Sequence, residues 1–457
     1  MKKKLFLIIL LMSSFFAKAQ TNPAITSWIQ NTTGIMGRHY VSGNSTPIQD
    51  ATLANVQTVQ YSTNWAYVSA TGIPAYVTGP FMGNPSIATN QNAIFKMPLN
   101  PVQNTGTPTA TTGGNIGIFI NGVALFDYRD GVSWNTTTNA LCGGPAGSPC
   151  PGGMGTAQAW NRDAILAERG GFDCAKAHPA MGNYHHHQNP SAFNLDLNVI
   201  STICNLYNAD GLYAIDSTVH SPLLGFAYDG FPIYGAYAFS NSNGSGGIVR
   251  MKSSYQLRNI TARTVWADGT DVADGPVVSA TYPIGYFRED YEFISHPGQE
   301  DYLDVHNGRF CVTPEYPNGI YCYFTTVDAR WNSTYPYVVG PTFYGTVVAA
   351  KVTSITETVT AYTPTSTGIS TVGNDVLQAN VFSSHSNELI VVQINGLNKE
   401  NLNVEMYDLT GKLVSKNVLY SGTTISYFDT QTLYGGVYIV KVSGLKGIVT
   451  KRIVVSK

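Results

Sequence analysis

The chain has 457 residues, of which only 12% are Asp, Glu, Lys or Arg, while 12% are aromatic and 45 are glycine. This composition excludes a disordered chain, which would be rich in charge, and a coiled coil, which would be rich in Glu, Lys and Leu. The formal net charge of −2, with no basic block, also argues against nucleic-acid binding, and the length suits two or three globular domains.

The N-terminus has the features of a secretory signal peptide. Three lysines at positions 2–4 precede an apolar run that begins at Leu5, and an Ala-Lys-Ala segment ends at Ala19. The apolar run is too short for a transmembrane helix, and no cysteine follows the cleavage site to carry a lipid. We therefore predict that residues 1–19 are removed. The mature protein is expected to be extracellular or at the cell surface, exported through the periplasm, without a transmembrane segment.

The large region up to residue 350 alternates short strand-like stretches with turns. The stretches 58–61, 115–127 and 345–352 are rich in Val, Ile, Tyr, Phe and Thr, and Gly, Pro and Asn separate such stretches. One helix is predicted at 156–169, where good helix formers precede a Gly-Gly pair. The pattern predicts a mainly β fold, with a large irregular β-sandwich-like domain and one or few short helices.

Six cysteines in an exported chain predict disulfide bonds. Cys311 and Cys322 flank a Pro-Asn-Gly turn, and their midpoint falls at Tyr316 and Pro317, so we expect them to lie opposite each other on a hairpin. Cys174 is a candidate for a disulfide bond or for a thiolate ligand, and the disulfide is favoured. The expected pairs are Cys142–Cys150, Cys174–Cys204 and Cys311–Cys322.

Four of the nine histidines fall within residues 178–187. On a strand, His185 and His187 point to one face and His186 points to the other, so two imidazoles come within reach of one metal ion. A further histidine or carboxylate would complete the site. His178 can return to it across a turn, and His220 is a more distant candidate. The predicted ion is copper or zinc, although imidazole also suits nickel and iron, and the alternative is a polar edge strand.

At these histidines the chain resembles the YHYH-domain family. The similar segments are 72–74, 117–122, 173–179, 184–187, 220–235, 285–292, 303–309, 313–319, 321–324 and 336–341. They cover about two-thirds of the chain in order, and the resemblance assigns residues 20–350 to a YHYH-like domain. One position departs from the Tyr-His-Tyr-His pattern, because His186 stands at the third place, but His185 and His187 keep the two motif histidines. The resemblance implies this domain and no particular reaction.

Two other function classes remain open from the sequence. A hydrolase acting on glycans or other polymers would use the carboxylates Asp229, Asp304 or Glu315, which lie in the family-like segments. A non-catalytic adhesin that binds a polymer, a small molecule or a surface would fit the many tyrosines and the low charge. The three aspartates within 268–274 do not have EF-hand spacing, and a solvated turn is the favoured interpretation there.

The C-terminal part begins with a Thr- and Ser-rich segment, 351–373, which reads as a linker or an extended edge segment. Alternating strands follow at 388–394, 403–407, 437–442 and 448–455, with an Asp-x-x-Gly turn, a Gly-x-Tyr strand and a terminal Lys-Arg-Ile-Val-Val strand.

These last motifs resemble the type IX secretion C-terminal sorting domain over about 80 residues, and a generic immunoglobulin-like accessory module is the alternative. The resemblance implies that residues 374–457 form a small immunoglobulin-like β-sandwich. It also implies that the type IX secretion machinery carries the protein across the outer membrane of a Bacteroidetes-type cell. The tail is then usually cut off, and the protein is released or attached at the surface.

Overall fold

The mainly β fold predicted from the sequence is confirmed by the structure, a computed structural model. The structure describes residues 21–82, 86–144, 147–153, 158–192, 202–207, 211–348, 351–364, 377–384, 388–394 and 400–455. The predicted signal peptide lies outside these residues. The helices in the described ranges are short. They are the α-helices α1, Pro23–Thr26, and α2, Ala164–Glu168, and the 3-10 turns Arg169–Gly171, Thr202–Asn205 and Arg288–Asp290.

The strands run through both halves of the chain. The first ten are β1 Met36–Val41, β2 Asn44–Leu53, β3 Val56–Tyr61, β4 Trp65–Ala70, β5 Ala93–Pro98, β6 Asn115–Phe119, β7 Ala124–Phe126, β8 Arg129–Asn135, β9 Ala140–Gly143 and β10 Asn161–Asp163. The next ten are β11 Ala177–Ala180, β12 Asn183–His186, β13 Leu223–Ala227, β14 Pro232–Tyr234, β15 Tyr237–Phe239, β16 Ile248–Arg250, β17 Tyr255–Leu257, β18 Tyr291–Phe293, β19 Gly308–Cys311 and β20 Ile320–Phe324. The last nine are β21 Lys351–Val352, β22 Thr360–Tyr362, β23 Ala379–Ser383, β24 Leu389–Ile394, β25 Leu402–Asp408, β26 Leu413–Leu419, β27 Ile425–Asp429, β28 Gly436–Gly444 and β29 Gly447–Val455.

An eight-stranded mixed sheet forms the centre of the large domain, with the strand order β11-β12-β7-β6-β13-β14-β20-β19. Every residue of β13 and β14 is buried, as expected for apolar strands covered on both faces. The hairpin of β11 and β12, which carries the histidine cluster, lies at one end of this sheet. β11 is the edge strand, and an edge position tolerates Pro179, which has no N–H to donate.

A five-stranded sheet with the order β21-β5-β4-β3-β22 corrects the linker assignment for the segment that follows residue 350. β21 pairs with β5, and β22 pairs with β3, both antiparallel. Residues 351–362 therefore belong to the large domain as its edge strands, which is the alternative that the sequence left open. Of the predicted linker, residues 365–373 lie outside the described part of the chain.

The C-terminal domain is a small β-sandwich of a three-stranded sheet, β23-β24-β27, and a four-stranded sheet, β26-β25-β28-β29. Leu402, Val404 and Met406 alternate with more exposed residues along β25, and Val440 and Val442 do the same along β28. These inward residues pack in one apolar core with residues of the facing sheet. Side chains with a period of two thus produce the sandwich that the sequence predicts.

The predicted helix at 156–169 is wrong at residues 158–163 and confirmed from Ala164 onward. Asn161–Asp163 is a strand that pairs with β8, and the helix begins only at Ala164. The Asp163 carboxylate fixes this start, because it accepts hydrogen bonds from the backbone N–H of Ile165 and Leu166. Residues 154–157 lie outside the described part of the chain. The stop predicted at the Gly-Gly pair is confirmed, since the 3-10 turn ends at Gly171.

Two of the three predicted disulfides are confirmed, Cys142–Cys150 and Cys174–Cys204. The third is wrong, because Cys311 and Cys322 are buried free thiols. The hairpin pairs Cys311 with Ile320 and Arg309 with Cys322. The cysteines therefore lie diagonally on one face, offset by two residues, since the turn is centred about one residue before the position that the sequence suggests. The disulfide at Cys174 also removes the thiolate-ligand alternative for that residue.

Candidate metal centre

A tight hairpin brings the first two histidines together. Ala180 pairs with Asn183 across a two-residue turn, in which Met181 and Gly182 have φ of 48° and 84°. Two successive positive φ values are typical of a type I′ turn, which matches the twist of the flanking strands. The resulting register places His178 directly opposite His185.

The third histidine follows on the same face as His185. The Nε2 atoms of His185 and His187 lie 3.0 Å apart. Side chains at His178, His185 and His187 offer ligand atoms that all lie within 4.8 Å of one another. This confirms the spatial relationship predicted from alternation along the strand, together with the return of His178 across the turn.

The outer nitrogens of two rings are fixed by backbone carbonyls. Nδ1 of His185 donates to the Asn183 carbonyl oxygen at 2.8 Å, and Nδ1 of His187 donates to the Asp127 carbonyl oxygen at 2.5 Å. A carbonyl oxygen only accepts, so the hydrogen of each neutral ring is on Nδ1. The Nε2 atom of each ring therefore presents its lone pair to the centre of the cluster, and metal-bound histidines are held in the same way, by a hydrogen bond from the other ring nitrogen.

A carboxylate that the sequence did not point to lies beside the cluster. Glu168 is the last residue of α2, and its Oε2 lies 3.1 Å from His178 Nε2 and 3.2 Å from His187 Nε2. In the described part of the chain, neither Glu168 Oε2 nor His178 Nε2 makes a well-aligned hydrogen bond. The sequence contained only a general signal for Glu168, namely that a carboxylate could complete a histidine site. The position of Glu168 depends on how α2 packs against β8 and β10.

Aromatic rings enclose the inner side of the cluster. Phe126 stacks on His185 with ring centroids 3.7 Å apart, and Phe172 contacts His178 edge-on with a centroid distance of 5.0 Å. The side chains of His187, His178 and Glu168 are 2%, 11% and 24% exposed. Solvent therefore reaches the cluster from the side of Glu168 and His178, while His187 lies at the bottom.

Burial and the carboxylate act in opposite directions on the titration of the cluster. Burial, together with the neighbouring rings of His187 and His178, holds the pKa of His185 well below its ordinary value. Burial also acts to lower the pKa of His187, but contact with Glu168 outweighs it and raises that pKa. For Glu168, burial acts to raise the pKa, and the adjacent His178 and His187 rings reverse this and lower it. The cluster thus favours a neutral His185 beside a carboxylate.

His186 points to the opposite face, as the alternation predicts. Its Nε2 lies 2.8 Å from the hydroxyl oxygen of Tyr76, and its ring meets Phe119 edge-on. Burial lowers the pKa of His186 to about 3. The family's third motif position therefore packs in the core behind the cluster.

His220 is not part of the cluster that the described residues form. Its Nδ1 donates to the Ser221 carbonyl oxygen at 2.8 Å, and its ring packs against Tyr234 and Phe239. The sequence placed it as a distant fourth contributor, whereas in the structure the carboxylate of Glu168 is the group that lies next to His178 and His187.

The three candidate hydrolase carboxylates serve as hydrogen-bond acceptors within the fold. Asp229 is fully buried and accepts from the Tyr323 hydroxyl at 2.6 Å and from the Gly345 N–H at 2.8 Å. Asp304 accepts from the Tyr321 hydroxyl, and Glu315 accepts from the Tyr234 hydroxyl, each at 2.8 Å. These hydrogen bonds give each carboxylate a structural role within the fold. The geometry gives no support to a polymer hydrolase at Asp229.

Fold and site together define a mainly β protein with a buried histidine cluster at a sheet edge and a small C-terminal β-sandwich. The chain belongs to the YHYH protein family, whose sequence model matches residues 94–337, more than half of its length. Residues 380–456 match the secretion system C-terminal sorting domain. Both resemblances seen in the sequence are therefore confirmed.

The sorting domain indicates secretion by the type IX machinery to the cell surface or the extracellular space. Within the described ranges, no helix combines the length and the apolar character needed to cross a membrane. A comparison with curated proteins found no match to the chain.

Proposed function

We propose that this secreted protein binds a transition metal ion, copper or zinc, through Nε2 of His178, His185 and His187 in its YHYH domain. We also propose that a signal peptide is cleaved after Ala19 and that the sorting domain is removed after export. The mature protein is then an extracellular metal-binding domain, either free or attached to the cell.

The observation that carries the proposal is the 3.0 Å separation of two Nε2 atoms whose rings both donate through Nδ1. Two nitrogen lone pairs that face each other at this distance repel unless a proton or a metal ion lies between them. A metal ion satisfies both, and the third ring at His178 adds a further nitrogen within 4.8 Å.

The ligand type limits the choice of ion. Imidazole nitrogens suit zinc, copper, nickel and iron, whereas calcium and magnesium prefer oxygen ligands. The burial of His185 and His187 favours an ion that the rings hold without a full hydration shell.

Elemental analysis of the protein purified from its native source tests this proposal. The wild-type chain is expected to retain close to one equivalent of a transition metal after dialysis, and the variant His185→Ala/His187→Ala is expected to lose it. His220→Ala is the matched control, because it removes an imidazole outside the cluster and should leave the metal content unchanged. Equal metal in wild type and double variant would overturn the proposal.

A further inference from the structure

We infer that Glu168 is the fourth ligand of the proposed ion, so that the centre is a three-histidine, one-carboxylate site. This inference rests on the proposed function and goes beyond it, because it assigns a ligand from a different element of the fold. The carboxylate comes from the end of α2, whereas the three rings come from β11, β12 and the residue after β12.

Three of the six distances between the four ligand atoms are close to the edge length of a coordination tetrahedron. Zn–N and Zn–O bonds of about 2.0–2.2 Å at tetrahedral angles separate neighbouring ligand atoms by roughly 3.3–3.5 Å. Glu168 Oε2 lies 3.1 Å from His178 Nε2 and 3.2 Å from His187 Nε2, and His187 Nε2 lies 3.0 Å from His185 Nε2. These three edges agree with the tetrahedron to within a few tenths of an ångström, while the ligand atoms that all lie within 4.8 Å of one another are those of the three histidines.

The contacts of Glu168 suit coordination better than an ordinary ion pair. Among the described residues it forms no ion pair with Lys or Arg, and its two close partners are the nitrogens that would bind the metal. A carboxylate oxygen shielded from water needs strong compensation, yet the buried atom Oε2 makes no well-aligned hydrogen bond within the described part of the chain. A shared cation satisfies the carboxylate and the rings together.

The local fold holds the carboxylate in place. Asp163 caps the start of α2 through the N–H groups of Ile165 and Leu166, and its other oxygen accepts from the Tyr337 hydroxyl at 2.8 Å. The helix has only five residues, so this anchored start determines where Glu168 lies one turn later. With 24% of its side chain exposed against 2% for His187, Glu168 is the ligand on the solvent side.

Cobalt(II) is the probe for the test, because its visible absorption reports coordination number and ligand type. Full-length wild type, Glu168→Ala and Glu168→Gln are titrated with cobalt(II), and zinc(II) affinity is measured by competition with a chelator. Loss of a group that hydrogen-bonds to a metal ligand already costs about 10–100-fold in metal affinity, so loss of a direct ligand is expected to cost at least roughly tenfold. The cobalt spectrum of both variants should change, and acetate should restore it in Glu168→Ala by supplying the missing carboxylate.

The controls separate this inference from the proposed function. Arg169→Ala changes the charge at the exposed next position and should leave affinity and spectrum as in wild type. If wild type binds and both Glu168 variants keep its affinity and spectrum, Glu168 is not a ligand, while the three-histidine site stands. If wild type binds neither cobalt nor zinc, the proposed function fails and the inference fails with it. Glu168→Gln keeps the side-chain volume, so a loss confined to Glu168→Ala would be a packing effect and would count against ligation.

Discussion

His185 and His187 face each other through Nε2 atoms 3.0 Å apart, and each ring is held from behind by a backbone carbonyl oxygen at Nδ1. The carbonyls belong to Asn183, in the same strand, and to Asp127, which follows the parallel neighbour β7. The arrangement therefore depends on the pairing of β12 with β7 as well as on the spacing of the two histidines. This geometry gives the YHYH pattern a physical meaning, since the two motif histidines lie on one face of the strand and point their Nε2 atoms at the same position.

Metal binding at the histidine cluster should stabilise the folded protein. An ion that binds only the folded state at a free concentration 100 times its Kd adds about 2.7 kcal/mol to the free energy of unfolding. We expect thermal unfolding of the wild type to shift upward on adding zinc or copper and to return on adding a chelator. His185→Ala/His187→Ala should show no shift, whereas an equal shift in that variant would place the binding site elsewhere.

His186→Tyr, which restores the family's motif residue, should leave metal binding intact. His186 lies on the opposite face from the cluster and contacts Tyr76 and Phe119 in the core. A larger ring in a well-packed core costs about 1–3 kcal/mol of stability, and a tyrosine hydroxyl can replace Nε2 as the partner of Tyr76. Metal content and unfolding free energy measured on the same preparation check both statements. Loss of metal in a folded His186→Tyr protein would contradict the separation of the two faces.

The part of the site that the sequence could predict is the part that depends on local geometry. Alternation along a strand is enough to place His185 and His187 together, and the Met-Gly turn returns His178 to them. Glu168 and His220 are different, because their distance from the cluster depends on how separate elements of the fold pack against one another. The hairpin of Cys311 and Cys322 also shows how far sequence alone can predict contacts. A register offset of two residues decides whether the two thiols lie opposite each other.

Asp229 should make the stability of the large domain depend on pH. Burial raises the pKa of this carboxyl from 3.8 to about 6, although bonds from Tyr323 and Gly345 counteract part of the shift. Because the folded-state pKa is above the unfolded-state value, its stabilising contribution is complete below about pH 4 and is lost as the pH rises through about 6. A shift of this size corresponds to a loss on the order of 2–3 kcal/mol.

Denaturant unfolding of wild type and Asp229→Asn between pH 4 and pH 8 measures this contribution. The wild type should lose more stability than the variant across that interval, because the amide does not ionise. Asp271→Asn, at an exposed aspartate, is the control and should follow the wild-type curve. Parallel curves for wild type and Asp229→Asn would show that Asp229 does not titrate differently in the two states.

Removing the Cys174–Cys204 disulfide should destabilise the domain without removing the metal. The bond spans 30 residues, and the chain-entropy relation gives a contribution of about 3–4 kcal/mol, compared with about 2.5 kcal/mol for Cys142–Cys150 with its span of 8 residues. Cys174→Ser/Cys204→Ser is therefore expected to lose more unfolding free energy than Cys142→Ser/Cys150→Ser. Both variants keep all three histidines and Glu168, so both should retain the metal of the wild type under conditions where they are folded. Metal loss from folded Cys174→Ser/Cys204→Ser alone would mean that the bridge, four residues before His178, is needed to hold that ring at the centre.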